Sequence, residues 1–482
     1  MDGYVRFSRQ TLIALASSVS IYLRNLLLIP VLTRYVGKED YGIWVQVFAC
    51  SELLLSFTGL GFAFSLTRFY HARKQSGDFP RDMSAILALV AGSSIILGGL
   101  GFLASDAIAL AFLGRSDAAV YLQVLFLFLP VSTLEHIVLS YYRASRQVEH
   151  HSVFLICESL LYVLLAIWWV QIGWVLWGVL WAMLSLRLLT LLVATWLLGR
   201  QAGWQLPDFS GMSMYLKYGL PVVPLGLFSW INNASDRFVI AHFIDVEATA
   251  VYAISYAIGS MVGFFFSPIF FVLEPKVTQL WETESYGALK EHFLYAQKYP
   301  LLVGIPFVAV AVSYSAQIIR VMVTADYAAD PALIFLVAFG IISMNLSSLV
   351  VLVVGLLKKT KGLPFIYLLC SAANLGGNIV AVQTVGIVGA AWVTAGTYLL
   401  QLVLMLAYVR GHYRFPLNLA FLFRGLIAVL PMLLILSYCG AGSLLMNIAG
   451  IFGGGATYLV CLLALGGFEA REWALVRSTL RM

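Results

Sequence analysis

Three arginines, Arg24, Arg187 and Arg237, stand inside stretches of sequence that are otherwise apolar. So do the carboxylates Glu52, Glu135, Glu158 and Asp236, and beside them the neutral polar residues Asn232, Asn233, Asn345, Asn374 and Asn378. A guanidinium is planar, stays ionised at any relevant pH and grips phosphate oxygens two at a time. A carboxylate in a poorly solvated place can gain and lose a proton, its affinity rising with burial and falling beside an arginine. Together these residue types suit binding of a phosphate-bearing group by Arg24, Arg187 and Arg237, and coupling to an ion gradient through Glu52, Glu135, Glu158 or Asp236. A second reading is structural. Arg24 and Glu52 lie at matching depths and would pair, as would Arg187 and Glu158, while Asp236 would cap its helix. His136, next to Glu135, is a candidate proton relay or an interfacial residue.

These side chains need elements that hold them in lipid. The chain has 482 residues, of which 61% are hydrophobic and 11% charged, against about 25% charged in soluble domains. A spanning helix takes about 20 apolar residues, and fourteen such runs are expected: 10–35, 41–66, 83–105, 119–142, 151–171, 174–198, 213–241, 249–274, 293–313, 332–357, 364–383, 386–409, 420–438 and 444–466. The opening MDGYVRFSRQ leads into the first of them, and that run is too long for the core of a cleavable signal peptide. Pro221 and Pro224 fall early in the seventh run, where each removes a backbone hydrogen bond and makes a candidate hinge. A short amphipathic surface helix is expected over 278–292.

Charge sets the orientation. Alternate loops carry 22 of the 29 basic residues, among them Arg73, Lys74, Arg81, Arg143, Lys276, Lys359, Arg410 and Arg477. The opposite loops hold only Arg34, Lys38, Arg115 and Arg320. Basic loops stay in the cytoplasm, so both termini are expected there, as an even number of spans requires. The net charge of +6 therefore reflects topology, and no nucleic-acid partner is expected. Cys50, Cys157, Cys370, Cys439 and Cys461 lack metal-ligand spacing. No nucleotide loop, metal motif or nucleophile triad occurs, and the glycines at 453–455 suit helix packing. No cofactor, metal or enzymatic activity is expected. The chain also lacks the large external loop that a membrane glycosyl polymerase or ligase would carry.

The sequence repeats itself faintly. Laid over TRYVGKEDYGIWVQVF without gaps, AHFIDVEATAVYAISY places His242 on Arg34, Glu247 on Glu39, Tyr252 on Trp44 and Lys276 on Arg68. Further on, QIGWVLWG and TVGIVGAA align Gly173 with Gly386 as openers of tight external turns. The expected organisation is a six-helix lobe over 1–200, a second over 213–410, two more helices over 420–466 and a cytoplasmic tail over 467–482. Transporters commonly bind at such repeat interfaces.

The segments IPVLTRYVGKEDYGIW, GLGFAFSLTRFY and NNASDRFVIAHFIDVEATAVYAISYAIG resemble bacterial Wzx-type O-antigen and polysaccharide flippases. An Asp-Arg pair closes the seventh helix in that family, and here it is Asp236-Arg237; GIVGAAWVTAGTY resembles the family's twelfth helix. The resemblance implies an all-α, MATE-like fold of the MOP superfamily, two lobes about a cavity, and alternating access. It implies a polyprenyl-pyrophosphate-linked oligosaccharide as substrate, flipped across the bacterial inner membrane for O-antigen, capsule or exopolysaccharide synthesis. A proton or sodium gradient is the expected drive, with membrane lipid, a polysaccharide polymerase and a chain-length regulator as expected partners. The competing readings are a multidrug or small-molecule antiporter on the same fold, a peptidoglycan-precursor flippase, and a membrane-embedded glycosyl polymerase or ligase. A cationic cavity favours pyrophosphate over a cationic drug.

Overall fold

The computed structural model describes residues 2–113, 116–323, 327, 330–440, 442–469 and 472. The expected tail over 467–482 lies largely outside the described residues, as do Arg115, Arg471, Arg477 and Arg481. Among those described, all regular structure is helical. The first half runs α1 (Asp2–Tyr35), α2 (Lys38–Thr58), α3 (Phe62–Ser76), α4 (Phe79–Leu103), α5 (Ser105–Leu113), α6 (Ala119–Ala144), α7 (Val148–Trp169), α8 (Val175–Ala202), α9 (Met212–Gly219) and α10 (Val223–Phe243). The second runs α11 (Val246–Ser260), α12 (Ser267–Glu282), α13 (Tyr286–Ser313), α14 (Ser315–Met322), α15 (Pro331–Leu356), α16 (Leu363–Val385), α17 (Ile387–Arg410), α18 (Leu419–Cys439) and α19 (Leu444–Ala464).

Twelve helical stretches among the described residues are long and apolar enough to cross a membrane. One of them, Val148–Ala202, is two expected spans joined end to end. The seventh expected run is absent from the twelve, and Asn232, Asn233, Asp236 and Arg237 dilute its apolar character. Helix is the form that satisfies every backbone polar group within a span, which is why the apolar runs adopt it.

Several boundaries differ from the sequence expectation. The second run breaks at Leu60 and Gly61, both with positive φ, so Arg68 and Arg73 ride on a separate helix, α3. The seventh run divides into α9, a 3-10 turn over Leu220–Val222 and α10, with Pro221 and Pro224 at the starts of the last two. The expected amphipathic helix over 278–292 is not separate, since α12 ends at Glu282 and α13 then runs without a break into the ninth span. Gly173 and Gly386 do open tight turns, with φ of 94° and 74°, conformations that a Cβ would oppose.

The chain forms two compact units. One comprises Met1–Ile254 with Leu363–Thr397, the other Ser255–Gly362 with Tyr398–Met482. In the first, α3, α4, α6, α8 and α9 pack around Phe62, Met83, Ile137, Tyr142, Leu198 and Tyr215, all fully buried or nearly so. A polar clamp joins three of these helices. Arg73 on α3 donates to both oxygens of buried Asp82 on α4, at 2.5 and 2.9 Å, and Tyr215 on α9 donates to Asp82 at 3.0 Å. Close by, α3 and α9 cross backbone to backbone. A Cβ on Gly61 would stand 2.2 Å from the Gly219 carbonyl oxygen, so only glycine permits that approach.

In the second unit α13, α18 and α19 pack around Leu301, Ile305, Phe421, Met432 and Tyr458. The chain beyond α19 returns to α13. There Glu472 accepts from Lys298 Nζ at 2.5 Å and from the Tyr299 hydroxyl at 3.1 Å, with the rings of Phe421 and Phe468 about the ammonium.

Candidate functional site

The charges expected within spans gather in the first unit, but not in the expected pairs. Arg187 on α8 places Nε 4.0 Å from Glu135 Oε2 on α6, with the two side chains only 11% and 7% exposed. Glu158 on α7 acts electrostatically on Glu135. Arg24, half-buried on α1, contacts the Asn25 side chain at 3.3 Å and lies over the ring of Tyr162 on α7, 5.9 Å from its centroid. Arg24 also acts electrostatically on Glu135. Two corrections follow. Arg187 makes its ion pair with Glu135 rather than Glu158, and Arg24 meets an aromatic ring rather than Glu52, which is exposed on α2. The reason is rotational. Sequence position sets the depth of a side chain along its helix, whereas the helix it faces depends on packing, and here α1 lies along α7.

The result is a compact group of two guanidiniums, two carboxyl groups and one phenol, drawn from α1, α6, α7 and α8. Burying one charge alone is costly, and mutual pairing within the group reduces that cost. Neither guanidinium is locked in a bidentate salt bridge, since 4.0 Å exceeds hydrogen-bond length and a ring contact uses no N–H. Each therefore keeps N–H donors for an anion. Tyr162 gave no charge signal in the sequence. It falls one helical turn after Glu158, on the same face of α7, and that spacing was the available clue.

Asp236 and Arg237 lie in a second polar group of the same unit. Asp236 is 1% exposed and accepts from the Tyr252 hydroxyl at 2.6 Å, from the Arg237 amide at 2.8 Å and from Arg237 Nη1 at 3.3 Å. Arg237 Nη1 also donates to the Asn233 carbonyl at 2.5 Å. Beside them Asn374 accepts from Asn378 at 3.0 Å and from Ser235 at 3.3 Å, and donates to Thr397 at 3.0 Å. Asn374 and Asn378 share one face of α16, as their four-residue spacing requires. This network joins α10, α11, α16 and α17. Asp236 is saturated by partners within it, an arrangement suited to holding helices together. The prolines take no part, as Pro221 and Pro224 are exposed at the break between α9 and α10.

Both groups lie inside the apolar helices of the first unit. Solved structures agree on the fold. The chain is similar to the lipid II flippase MurJ in an inward closed conformation, at 16% identity and TM-score 0.72, covering 95% of this chain and 98% of that one. It is also similar to a multidrug resistance MATE family transporter of the MOP superfamily in an inward-facing conformation, at 18% identity and TM-score 0.61, over 83% and 94% of the two chains. A third is a MOP superfamily transporter from Pyrococcus furiosus whose binding pocket has reversed polarity, at 15% identity and TM-score 0.59, over 84% and 94%. No curated protein matches the sequence. The family model described as polysaccharide biosynthesis protein matches residues 7–281, more than half of the chain, and the chain belongs to that family.

Proposed function

We propose that this protein flips an undecaprenyl-pyrophosphate-linked oligosaccharide from the cytoplasmic to the periplasmic leaflet of the bacterial inner membrane, for synthesis of O-antigen, capsule or exopolysaccharide. The observation that carries this reading is the pair Arg24 and Arg187, each with donors to spare, inside the spans of a polysaccharide biosynthesis family member. Pyrophosphate is the part of such a lipid that apolar spans cannot accommodate without cationic partners. Arg237 would contribute positive potential. Both termini would be cytoplasmic, and lobes over 1–200 and 213–410 would alternate access by bending at Pro221 and Pro224. Transport would be driven by a proton or sodium gradient through Glu135 and Glu158, with Glu52 and Asp236 as further carboxylates. The protein would convert no substrate chemically, and it would act beside a polymerase and a chain-length regulator.

A second reading, flipping of the peptidoglycan precursor, is favoured by the structural likeness to the lipid II flippase. A small-molecule antiporter has the likeness to MATE transporters in its favour, but the arginines oppose it. Purified protein in proteoliposomes decides between them. Flipping of a polyprenyl-pyrophosphate oligosaccharide, lost in Arg24→Ala, is the expected result. Flipping of lipid II in preference, or export of a cationic dye, would overturn it.

A further inference from the structure

Tyr162 is 5% exposed, and its hydroxyl is buried with no hydrogen-bond partner among the described residues. Leaving a buried hydroxyl unpaired costs free energy, which a phenylalanine of the same shape would not incur. The ring alone would serve as the platform under the Arg24 guanidinium. The hydroxyl is thus unexplained by the packing in this conformation.

Its surroundings suggest its use. Arg24, Arg187 and Glu158 all act electrostatically on the phenol. The two guanidiniums are donors only, so each needs an acceptor. The phenol can donate as well as accept, yet it does neither among the described residues. An oxyanion reaching this group would meet donors on both guanidiniums and would supply the acceptor that the hydroxyl lacks.

We propose that Tyr162 is a substrate-binding residue whose hydroxyl donates a hydrogen bond to a phosphate oxygen of the lipid-linked substrate, beside Arg24 and Arg187. This rests on the pyrophosphate reading above and adds a third, uncharged donor to it. The ring and the hydroxyl have separate tasks. The ring seats Arg24, while the hydroxyl recognises the anion. A donor that carries no charge adds directional preference for an oxyanion without adding to the electrostatic cost of the empty site.

The test uses the full-length protein in detergent and three probes: geranylgeranyl pyrophosphate, geranylgeraniol and inorganic pyrophosphate. Wild type should bind geranylgeranyl pyrophosphate, with inorganic pyrophosphate competing and geranylgeraniol binding far more weakly. Tyr162→Phe should keep the ring, unfold at the same or a higher temperature, and bind geranylgeranyl pyrophosphate about tenfold more weakly or worse, as expected on losing a hydrogen bond to a charged group. Its binding of geranylgeraniol should not change. If wild type binds the pyrophosphate lipid and Tyr162→Phe binds it equally well, the role of Tyr162 is refuted and the pyrophosphate reading stands. A lower unfolding temperature in Tyr162→Phe would refute it too, by showing that the hydroxyl supports the fold. If wild type itself does not prefer the pyrophosphate lipid to geranylgeraniol, both readings fall together.

Discussion

The arginines are separated by what their partners leave free. Arg24 faces a ring and Arg187 a single carboxylate at 4.0 Å, so replacing Arg24 removes an anion donor without orphaning a paired acid. Arg24→Ala should therefore insert at normal level and lose surface polysaccharide, with Arg24→Lys restoring only part, since an ammonium keeps the charge but not the planar fork. Immunoblots beside polysaccharide gels would check this; a drop in protein level to match the lost polysaccharide would show a structural arginine. Asp236 should behave in the opposite way. Asp236→Ala removes the acceptor of the Tyr252 hydroxyl and the carboxylate paired with Arg237, at a cost of roughly 3–5 kcal/mol, so less folded protein should be recovered. Glu472 supplies a pH test. Burial pushes its carboxyl up, but the hydrogen bonds from Lys298, the Glu469 amide and Tyr299 outweigh this and hold it below the ordinary carboxylate range. With a depressed folded value, the stabilisation is complete above the ordinary value and disappears as pH falls through the folded one. The thermal midpoint of detergent-purified protein should thus fall on acidification below about pH 4, and by less in Glu472→Gln, which starts lower.

Between α9 and α10, helix geometry turns into a candidate device. Upstream of the break, α9 is fastened to α3 and α4 by the Asp82 clamp and the Gly61–Gly219 crossing. At the break itself, Pro221 and Pro224 interrupt the hydrogen-bond ladder. Replacing both prolines with alanine should leave protein level near normal and slow flipping in proteoliposomes, if bending there is part of transport. Full flipping rates would exclude the hinge. The crossing, by contrast, is structural. Gly61→Ala sets a Cβ against the Gly219 carbonyl oxygen in a positive-φ position, and overpacking of this kind costs about 1–3 kcal/mol. A lower thermal midpoint is the expected readout, with Gly173→Ala as a comparison, since no atom lies within 4 Å of its added Cβ and only its φ is unfavourable.

For the whole molecule, orientation is the property open to a direct check. On the proposed orientation Lys358, Lys359 and Lys361 would face the cytoplasm and Arg320 the opposite side. Reporter fusions after Gly362 and after Arg320 should therefore give opposite signals, and equal signals would overturn the assignment of inside and outside. Of the expected spans, two lie in the continuous stretch Val148–Ala202, and the segment from α9 to α10 is more polar than the others.

Much of this architecture follows from the sequence alone. Apolar run length produced the helices, because a backbone in lipid has no other partner for its polar groups. Motif resemblance indicated the family branch, and the family match over residues 7–281 agrees with it. Gly173 and Gly386 were readable as turns, since their conformational freedom is local. The ionisable residues that gather in the first unit were all visible as charges in apolar runs. Their partners were not. Helical period fixes which residues share a face, as with Asn374 and Asn378, but not which neighbour that face meets. Tertiary packing of α1 along α7 and of α6 against α8 gave Arg24 to Tyr162 and Arg187 to Glu135. A ring contact and a rotation about the helix axis leave no period in the chain, so only the folded structure could decide them.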